Sequence, residues 1–168
     1  APAVAQTLPE VRWRIASSFS KTLDTLFGGG EMVAKRVAEL TEGRFKIRVF
    51  AAGEIVPPLQ VLDAVQNNTV EAGHSVSYYY VGKDPTFAFD GCLPFGLNSR
   101  QQNAWEYYGG GLELVREFFR DYNIVPFPAG NTGAQMGGWF NKEVKTVKDL
   151  EGLKFRIGGW AGQVLSRL

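Results

Sequence analysis

Two residue types that commonly carry chemistry occur only once each in the sequence, as Cys92 and His74. One cysteine cannot form a disulfide within the chain, and one cysteine with one histidine cannot supply the ligand set of a zinc site. Most metal enzymes and cysteine–histidine catalytic pairs are therefore excluded. A hard cation that is held by oxygen atoms is still compatible with this composition.

His74 lies between Gly73 and Ser75, in a run close to the turn that exposes the nucleophile of α/β hydrolases, but the closing glycine of that turn is missing. A histidine can serve as the base for a serine, and two of the 17 acidic residues could form a carboxylate pair for glycoside hydrolysis. No spacing selects a particular pair, and a single histidine after a short strand is commonly structural. A small α/β hydrolase or lyase that uses His74 or a carboxylate pair stays open as one hypothesis.

The glycine clusters do not match a nucleotide-binding loop. After the glycines at 28–30, Val33 stands where the dinucleotide fingerprint requires glycine, and Gly82 lacks the glycine five residues earlier that a phosphate loop needs. Backbone turns and close packing are the better interpretation of these glycines.

The best candidate for ligand recognition is Arg156. Leu153, Phe155 and Ile157 alternate around it, so the pattern predicts a strand with apolar side chains on one face and Arg156 on the other. A guanidinium on a rigid strand beside a Gly-Gly turn can form two parallel hydrogen bonds with a carboxylate. The same pattern also fits a solvated arginine on an edge strand, and spacing alone does not separate the two.

The elements before these residues predict an α/β fold. Apolar and polar residues alternate at 11–15 and again at 44–49, which is typical of strands. Apolar residues recur at helical spacing over 31–42, and Gly43 follows as a stop signal. These elements predict a β-α-β unit with parallel strands and a right-handed crossover.

A proline-led helix and a third strand continue the pattern. Pro57 and Pro58 suit the first turn of a helix that ends at Asn67 and Asn68, and residues 70–76 are typical of a short strand. Residues 78–98 form an aromatic-rich loop, whose length indicates either a functional segment or a short helix. The remaining predictions are a helix from its cap Ser99 to about Tyr122, extended segments at 124–128 and 136–141, and a helix that begins near Trp160.

Composition excludes several classes of protein. The chain of 168 residues has 45% hydrophobic and 21% charged residues, which is typical of a folded protein of one domain or slightly more. Its net charge of +1 lacks the basic excess of a nucleic-acid or acidic-membrane binder, and no run approaches the ~20 apolar residues of a membrane span. Residues 1–6 fit a mature end left after removal of a secretory signal. The sequence stops inside a predicted helix at Leu168, from which we expect a truncated larger protein.

The segment that contains Arg156 also carries a family resemblance. Residues 149–157, Asp-Leu-Glu-Gly-Leu-Lys-Phe-Arg-Ile, are similar to the signature of the solute-binding proteins of tripartite ATP-independent periplasmic (TRAP) transporters, the DctP-type family. The resemblance covers essentially the whole chain, since the β-α-β opening and the segments 53–56, 70–73 and 141–142 lie in the family's order. Residues 77–80 and 135–139 are most similar to the branch that binds 2-oxoacids such as pyruvate.

The resemblance implies a set of ligand-binding residues. Arg156 matches the arginine that anchors the ligand carboxylate, and Gln135, 21 residues earlier, matches the glutamine that holds both ligand and a bound cation, Na⁺ or Ca²⁺. Tryptophan and glutamate metal ligands of the family would follow Leu168, and no second arginine lies near Gln135, which argues against sialic acid. Candidates for the apolar lining, each of which could instead belong to the core, are Tyr79, Tyr80, Trp160 and, more weakly, Phe19.

The resemblance also implies the fold and the function. We expect an α/β periplasmic solute-binding fold of two lobes with mostly parallel sheets, in which residues 1–131 form a nearly complete first lobe and 132–168 the truncated start of the second. The expected function is binding of a small organic acid in the periplasm and its delivery to TRAP membrane subunits, without catalysis and without an enzymatic cofactor. A full-length form is expected to be capable of forming a homodimer.

Overall fold

The computed structural model describes residues 9–168, so the predicted processed end at residues 1–6 lies outside the described residues. The described residues divide into two compact units, the first comprising 9–75 and Tyr122–Ile124 and the second Val76–Asp121 and Val125–Leu168. The lobe boundary after residue 131 concerns a longer two-lobe protein and stays a prediction.

A three-stranded parallel sheet forms the centre of the first unit. Its strand order is β2-β1-β3, and β1 pairs with both neighbours, so that Ile15 lies beside Val49 on one side and Ala72 on the other. The predicted parallel β-α-β opening is confirmed. In chain order the elements are β1 (Val11–Ser17), α1 (Asp24–Leu40), β2 (Phe45–Phe50), a 3₁₀ helix (Pro58–Gln60), α2 (Val61–Gln66) and β3 (Ala72–His74).

Helix α1 begins at Asp24, earlier than the predicted start, and includes the three-glycine run. Gly30 lies against the sheet, where a Cβ atom would be 3.1 Å from His74 Nδ1 and 3.4 Å from Val49 Cγ1. Glycine disfavours a helix by about 1 kcal/mol relative to alanine, but here it allows close packing of the helix. The prediction of a start at residue 31 was wrong because it followed local propensity alone.

The core of the first unit lies between α2 and the carboxyl-terminal part of the sheet. Gly73 on β3 faces α2, and a Cβ atom there would be only 2.8 Å from Val61 Cγ1 and 2.9 Å from Val65 Cγ2. Helix and strand therefore approach as closely as they do because position 73 has no side chain. The buried residues of this cluster are Ala16, Val56, Val61, Ala64 and Val70.

A bidentate ion pair also joins β1 to the segment that leads into β3. Arg14 Nη2 lies 2.6 Å from Glu71 Oε1, and Arg14 Nε donates to Glu71 Oε2 at 3.0 Å. The backbone N–H of Arg14 donates to the same carboxylate at 2.7 Å. These bonds to Arg14 lower the pKa of Glu71 to about 2.

The second unit consists of helices and irregular segments within the described residues. Its core centres on Phe87, which packs edge to face against Phe118, Phe119 and Tyr80, with ring centroids 4.8, 5.3 and 5.8 Å away. Its elements are two 3₁₀ helices (Ser77–Tyr80 and Pro85–Ala88), α3 (Ser99–Tyr108), α4 (Gly111–Arg120), a 3₁₀ helix (Val147–Leu150) and α5 (Gly159–Leu165).

The single helix predicted from Ser99 to Tyr122 is instead two helices. The first of them, α3, has Asn98 as its N-terminal cap instead of the predicted Ser99. The Asn98 side chain accepts a hydrogen bond from Gln101 N, and the Gln101 side chain accepts one from Asn98 N. Gly110 adopts φ 80°, a left-handed conformation that ends one helix and starts the next. The prediction missed this break because apolar residues recur at helical spacing on both sides of it.

One strand prediction was wrong and another was too long. Residues 153–157 join no sheet in the described part of the chain, and β3 is shorter than the predicted 70–76. The segments 124–128 and 136–141, predicted only to be extended, belong to no helix or strand. Alternating apolar and polar residues indicate that an extended segment has two different faces. A segment becomes part of a β-sheet only when a neighbouring strand is present to form backbone hydrogen bonds with it. The loop prediction at 78–98 is confirmed in one respect, since the segment holds short helices. None of the helices in residues 9–168 has the length and apolarity needed to cross a bilayer.

Candidate functional site

Two segments of the second unit meet around the ring of Tyr78. The 3₁₀ helix Ser77–Tyr80, which we call the tyrosine turn, places this ring against Gly158, where a Cβ atom would be 2.9 Å from Tyr78 Cε2. Burial raises the pKa of Tyr78, whereas the nearby positive charge of Arg156 acts to lower it. The predicted anchor Arg156 therefore lies near an aromatic surface, although it does not stand on a strand.

Each residue of the Gly-Gly pair that follows Ile157 has its own reason to be glycine. Gly158 leaves room for the Tyr78 ring, and Gly159 has φ 59°, a conformation that favours glycine. A Cβ atom on Gly159 would make only an ordinary contact, 3.5 Å from Cys92 Sγ. Helix α5 starts here and places Trp160 edge to face on Phe89, with ring centroids 5.3 Å apart. The surface beside Arg156 is thus built from aromatic rings and bare backbone.

Arg156 is exposed, and among residues 9–168 no side chain or carbonyl forms a hydrogen bond or ion pair with it. Arg14, by contrast, is held by a carboxylate in two places. The guanidinium of Arg156 is therefore available for a planar anion such as a carboxylate.

Tyr79 packs edge to face against Tyr78, with ring centroids 5.0 Å apart and planes inclined by 79°. Burial is the largest cause of the raised pKa of Tyr78, followed by the charges of Tyr79 and Cys92. A side-chain hydrogen bond with Tyr79 raises this pKa further, so the Tyr78 hydroxyl stays protonated at neutral pH. Tyr79 and Trp160 are both half-buried, which is compatible with their predicted place in a ligand lining.

A polar network lies behind the tyrosine turn. The Ser77 hydroxyl donates to Asp90 Oδ1, and Gln102 Nε2 on α3 donates to both the Asp90 carbonyl at 3.0 Å and Glu106 Oε1 at 3.1 Å. Burial, followed by the charge of Glu106, raises the pKa of Asp90 to about 7. An acid with this pKa changes protonation near neutral pH.

Gln135 is exposed and lies in an irregular segment. Its Nε2 donates to Thr132 Oγ1 at 3.3 Å, which leaves the amide oxygen Oε1 free of any bond from the described residues. An amide oxygen is a suitable ligand for Na⁺ or Ca²⁺. The described contacts do not bring Gln135 to Arg156, and its predicted role as a ligand and metal contact stays a prediction.

Two of the predicted lining residues are buried. Tyr80 is 3% exposed in the core of the second unit. Phe19 is 5% exposed in the first unit, with its ring centroid 5.0 Å from that of His74. Each is thus part of the core of its own unit, and their predicted place in a ligand lining stays a prediction.

His74 is arranged as a structural residue. Its Nδ1 lies 3.4 Å from Ser17 Oγ, and this serine is 1% exposed and accepts a hydrogen bond from Phe19 N at 3.1 Å. Burial lowers the pKa of His74, which keeps the ring neutral. The serine that contacts His74 is therefore inaccessible to substrate. Ser75, the serine of the hydrolase-like run, lies 2.7 Å from Ser18 Oγ. The described residues also contain no group of three or more His, Cys, Asp or Glu side chains placed to hold a metal ion.

The sequence analysis did not single out Tyr78 or Asp90 as residues of this candidate site. Tyr78 lies in the tyrosine run that the resemblance pointed to, and the paired glycines, interpreted as a turn, could have indicated a close approach by another group. Asp90 is an isolated acid between Phe89 and Gly91, and nothing local predicts its bond to Ser77.

Comparison with known proteins identifies the family. The model of the DctP family, bacterial extracellular solute-binding protein family 7, matches residues 16–168. A protein of Nostoc sp. strain PCC 7120, named monocarboxylate 2-oxoacid-binding periplasmic protein, is 63% identical over 161 residues, which are 96% of this chain and 44% of that protein.

Solved structures show the same fold. A TRAP transporter solute-binding protein from Bordetella bronchiseptica, a dimer with copurified calcium and picolinate, matches with a TM-score of 0.92 at 52% identity over 95% of this chain and 48% of its own. A TRAP periplasmic solute-binding protein from Pseudoalteromonas atlantica, with bound sodium and pyruvate, matches with a TM-score of 0.90 at 44% identity over 94% of this chain and 48% of its own. The predicted α/β class is confirmed.

The chain spans about half the length of these relatives. Their family comprises solute-binding proteins and not enzymes, which sets aside the hydrolase hypothesis built on His74. The resemblance that the segment around Arg156 carried is confirmed, and the chain belongs to the DctP family of TRAP transporter solute-binding proteins.

Proposed function

We propose that this protein binds a small 2-oxoacid such as pyruvate together with Na⁺ or Ca²⁺ in the periplasm, and delivers it to the membrane subunits of a TRAP transporter. The observation that carries the proposal is the exposed guanidinium of Arg156, which forms no bond with the described residues and lies near enough to Tyr78 for its charge to act on that hydroxyl. The names of the relatives support the same ligand class.

The chemistry of a 2-oxoacid suits this surface. Its carboxylate can accept two parallel hydrogen bonds from the planar fork of Arg156, and a tyrosine hydroxyl can donate to the neighbouring oxo oxygen. The half-buried rings of Tyr79 and Trp160 offer apolar contact to a short carbon chain. One arginine with neutral neighbours also favours a monocarboxylate over a dicarboxylate, because a second charge would be left without a partner.

Gln135 is the residue of this chain that we assign to the cation. Its free amide oxygen is a hard ligand of the kind that Na⁺ and Ca²⁺ prefer. A single oxygen does not complete a coordination sphere, so the ligand's own oxygens and further protein groups would supply the rest. When bound, the cation would offset the negative charge of the 2-oxoacid.

Assembly and delivery are extensions of the same proposal. A homodimer is proposed on the basis of the dimeric Bordetella relative. Delivery to TRAP membrane subunits is proposed because solute-binding proteins of this family serve such transporters.

Calorimetric titration of full-length Arg156→Ala with pyruvate tests the proposal. Removing one partner of a buried, hydrogen-bonded charge pair costs roughly 2–5 kcal/mol, so affinity should fall about 30-fold to several thousandfold. Arg156→Lys should recover only part of the loss, since an ammonium group cannot form the planar fork.

Arg120→Ala is the matched control, because Arg120 is an exposed arginine of the same unit on α4. It should bind pyruvate as the parent protein does, and titrations with and without Na⁺ or Ca²⁺ show which cation contributes. An Arg156→Ala protein that binds within threefold of the parent would contradict the role of this arginine.

A further inference from the structure

We propose that Asp90 is a positioning residue of the ligand site, which holds the tyrosine turn in place through the hydroxyl of Ser77. Asp90 itself touches no ligand in this proposal. The inference rests on the proposed function, because the surface that it positions is the one beside Arg156.

The tyrosine turn is short and has few bonds of its own. No side chain caps its start, where Val76 has extended dihedral angles of −122° and 135°. The hydrogen bond from Ser77 to Asp90 Oδ1 is therefore the side-chain anchor at this end. Further along the turn, the Tyr78 ring packs against Gly158. A shift of Ser77 would be transmitted to the ring beside Arg156.

Asp90 is in turn held by α3. Gln102 donates to the Asp90 carbonyl and to Glu106 with the same amide nitrogen, so it ties the Asp90 backbone to the carboxylate that faces it. A continuous set of bonds thus runs from α3 through Asp90 and Ser77 to Tyr78. A 3₁₀ helix of four residues has little stiffness of its own, so its position depends on external support. Tyr80 anchors the end of the turn in the core of the second unit, and Asp90 holds its start at Ser77.

The charges around Asp90 make this support dependent on pH. Glu106 on α3 is the ionisable group whose charge acts on Asp90, and Ser77 and Gln102 are neutral. Within residues 9–168, no lysine or arginine charge acts on the Asp90 carboxyl. Ionised Asp90 is therefore a buried anion beside a second carboxylate, whereas neutral Asp90 is free of this repulsion.

The sign of the effect on binding follows from these contacts. Burial and Glu106 raise the pKa of Asp90 to about 7, so the neutral form predominates below this pH. Binding of an anionic ligand beside the turn adds negative charge and excludes water, and both changes favour neutral Asp90 further. Affinity for a 2-oxoacid should therefore fall as the pH rises through 7.

Asp90→Asn separates charge from shape, because asparagine keeps the oxygen that accepts from Ser77 but cannot ionise. We expect the pyruvate affinity of the full-length parent protein, measured by calorimetry from pH 5.5 to 8.5, to fall by about fivefold or more. The Asp90→Asn variant should bind pyruvate over the whole of this pH range with the high affinity that the parent protein has below pH 7. Ser77→Ala should weaken binding at every pH, since it removes the link itself, whereas the pH dependence that comes from the charge of Asp90 should remain.

Asp121→Asn is the matched control, because Asp121 is an exposed acid at the end of α4 in the same unit. Its profile should follow that of the parent protein. An Asp90→Asn protein with the parent's pH dependence would overturn the proposal, as would a parent protein whose affinity is constant over this range.

A measurement without ligand distinguishes this inference from the proposed function. The ring signals of Tyr78 in ¹³C-tyrosine NMR spectra, assigned with Tyr78→Phe, should shift with the titration of Asp90 in the parent and stay constant in Asp90→Asn. If pyruvate fails to bind but this shift occurs, the coupling stands and the ligand assignment fails. If pyruvate binds and the Tyr78 signals do not respond to Asp90, the positioning role is refuted.

Discussion

Replacing Gly158 by alanine tests the packing that places Tyr78 beside Arg156. Gly158 has φ −88° and ψ 152°, which alanine adopts freely, so the change adds one methyl group without backbone strain. That methyl carbon would lie 2.9 Å from Tyr78 Cε2 and 3.5 Å from Cδ2. Carbon atoms pack best at about 3.5–4.0 Å, so the ring must move by roughly half an ångström.

Overpacking of this kind typically costs about 1–3 kcal/mol. Because the Tyr78 ring is only half-buried and can yield, we expect the free energy of unfolding of Gly158→Ala to fall by roughly 1–2 kcal/mol. Urea unfolding followed by circular dichroism measures this difference. Pyruvate affinity should also decrease, since the displaced ring adjoins Arg156.

Two controls show whether the Tyr78 ring is the cause. Gly82→Ala adds a methyl group where nothing lies within 4 Å, so its stability should be close to that of the parent protein. In a Tyr78→Ala background the additional cost of Gly158→Ala should vanish, because the opposing ring is gone. A cost that persists without the ring, or no cost in its presence, would refute the reasoning.

Gly73→Ala should lower the free energy of unfolding by about 1–3 kcal/mol, because its Cβ would meet two valine methyl groups of α2 at 2.8 and 2.9 Å. Gly28→Ala should instead raise it by up to about 1 kcal/mol, since this position of α1 has open space and alanine favours a helix; urea midpoints that rank the two variants in the opposite order would contradict both. Burial lowers the pKa of His74 below 6.5, so the unfolded chain takes up a proton first and stability should be lost as the pH falls below 6.5. His74→Gln should reduce this slope of unfolding free energy between pH 7.5 and 5.5, and an unchanged slope would assign it to other groups.

The sequence predicts the first unit well because its patterns are local. Alternation over 11–15 and 44–49 locates β1 and β2, and an intervening helix makes them parallel. The start of α1 escapes prediction because a glycine at position 30 is unfavourable in isolation. It is favoured only by the approach of Val49 and His74, which come from distant parts of the chain.

The second unit is less predictable because its structure depends on partners rather than periodicity. Apolar and polar residues do alternate around Arg156, but within the described residues no neighbouring strand pairs with this segment, so it forms no part of a sheet. Family resemblance points to Arg156 and to the tyrosine run. The contact of Tyr78 with Gly158 and the bond of Ser77 to Asp90 join residues with no common pattern, so they emerge only in three dimensions.

The central position of β1 has a consequence for the order in which the chain folds. The Arg14–Glu71 bonds span 57 positions, a longer loop than the one that joins β1 to β2. Doubling a loop costs only about 0.6 kcal/mol of closure entropy, so loop length alone does not decide the order. What decides it is that α1 and β2 form their contacts with β1 as one local unit, whereas the short β3 offers little pairing until α2 packs over Gly73. We therefore expect β3 to pair with β1 last. The bidentate ion pair between Arg14 and Glu71 would then fix the register of that pairing.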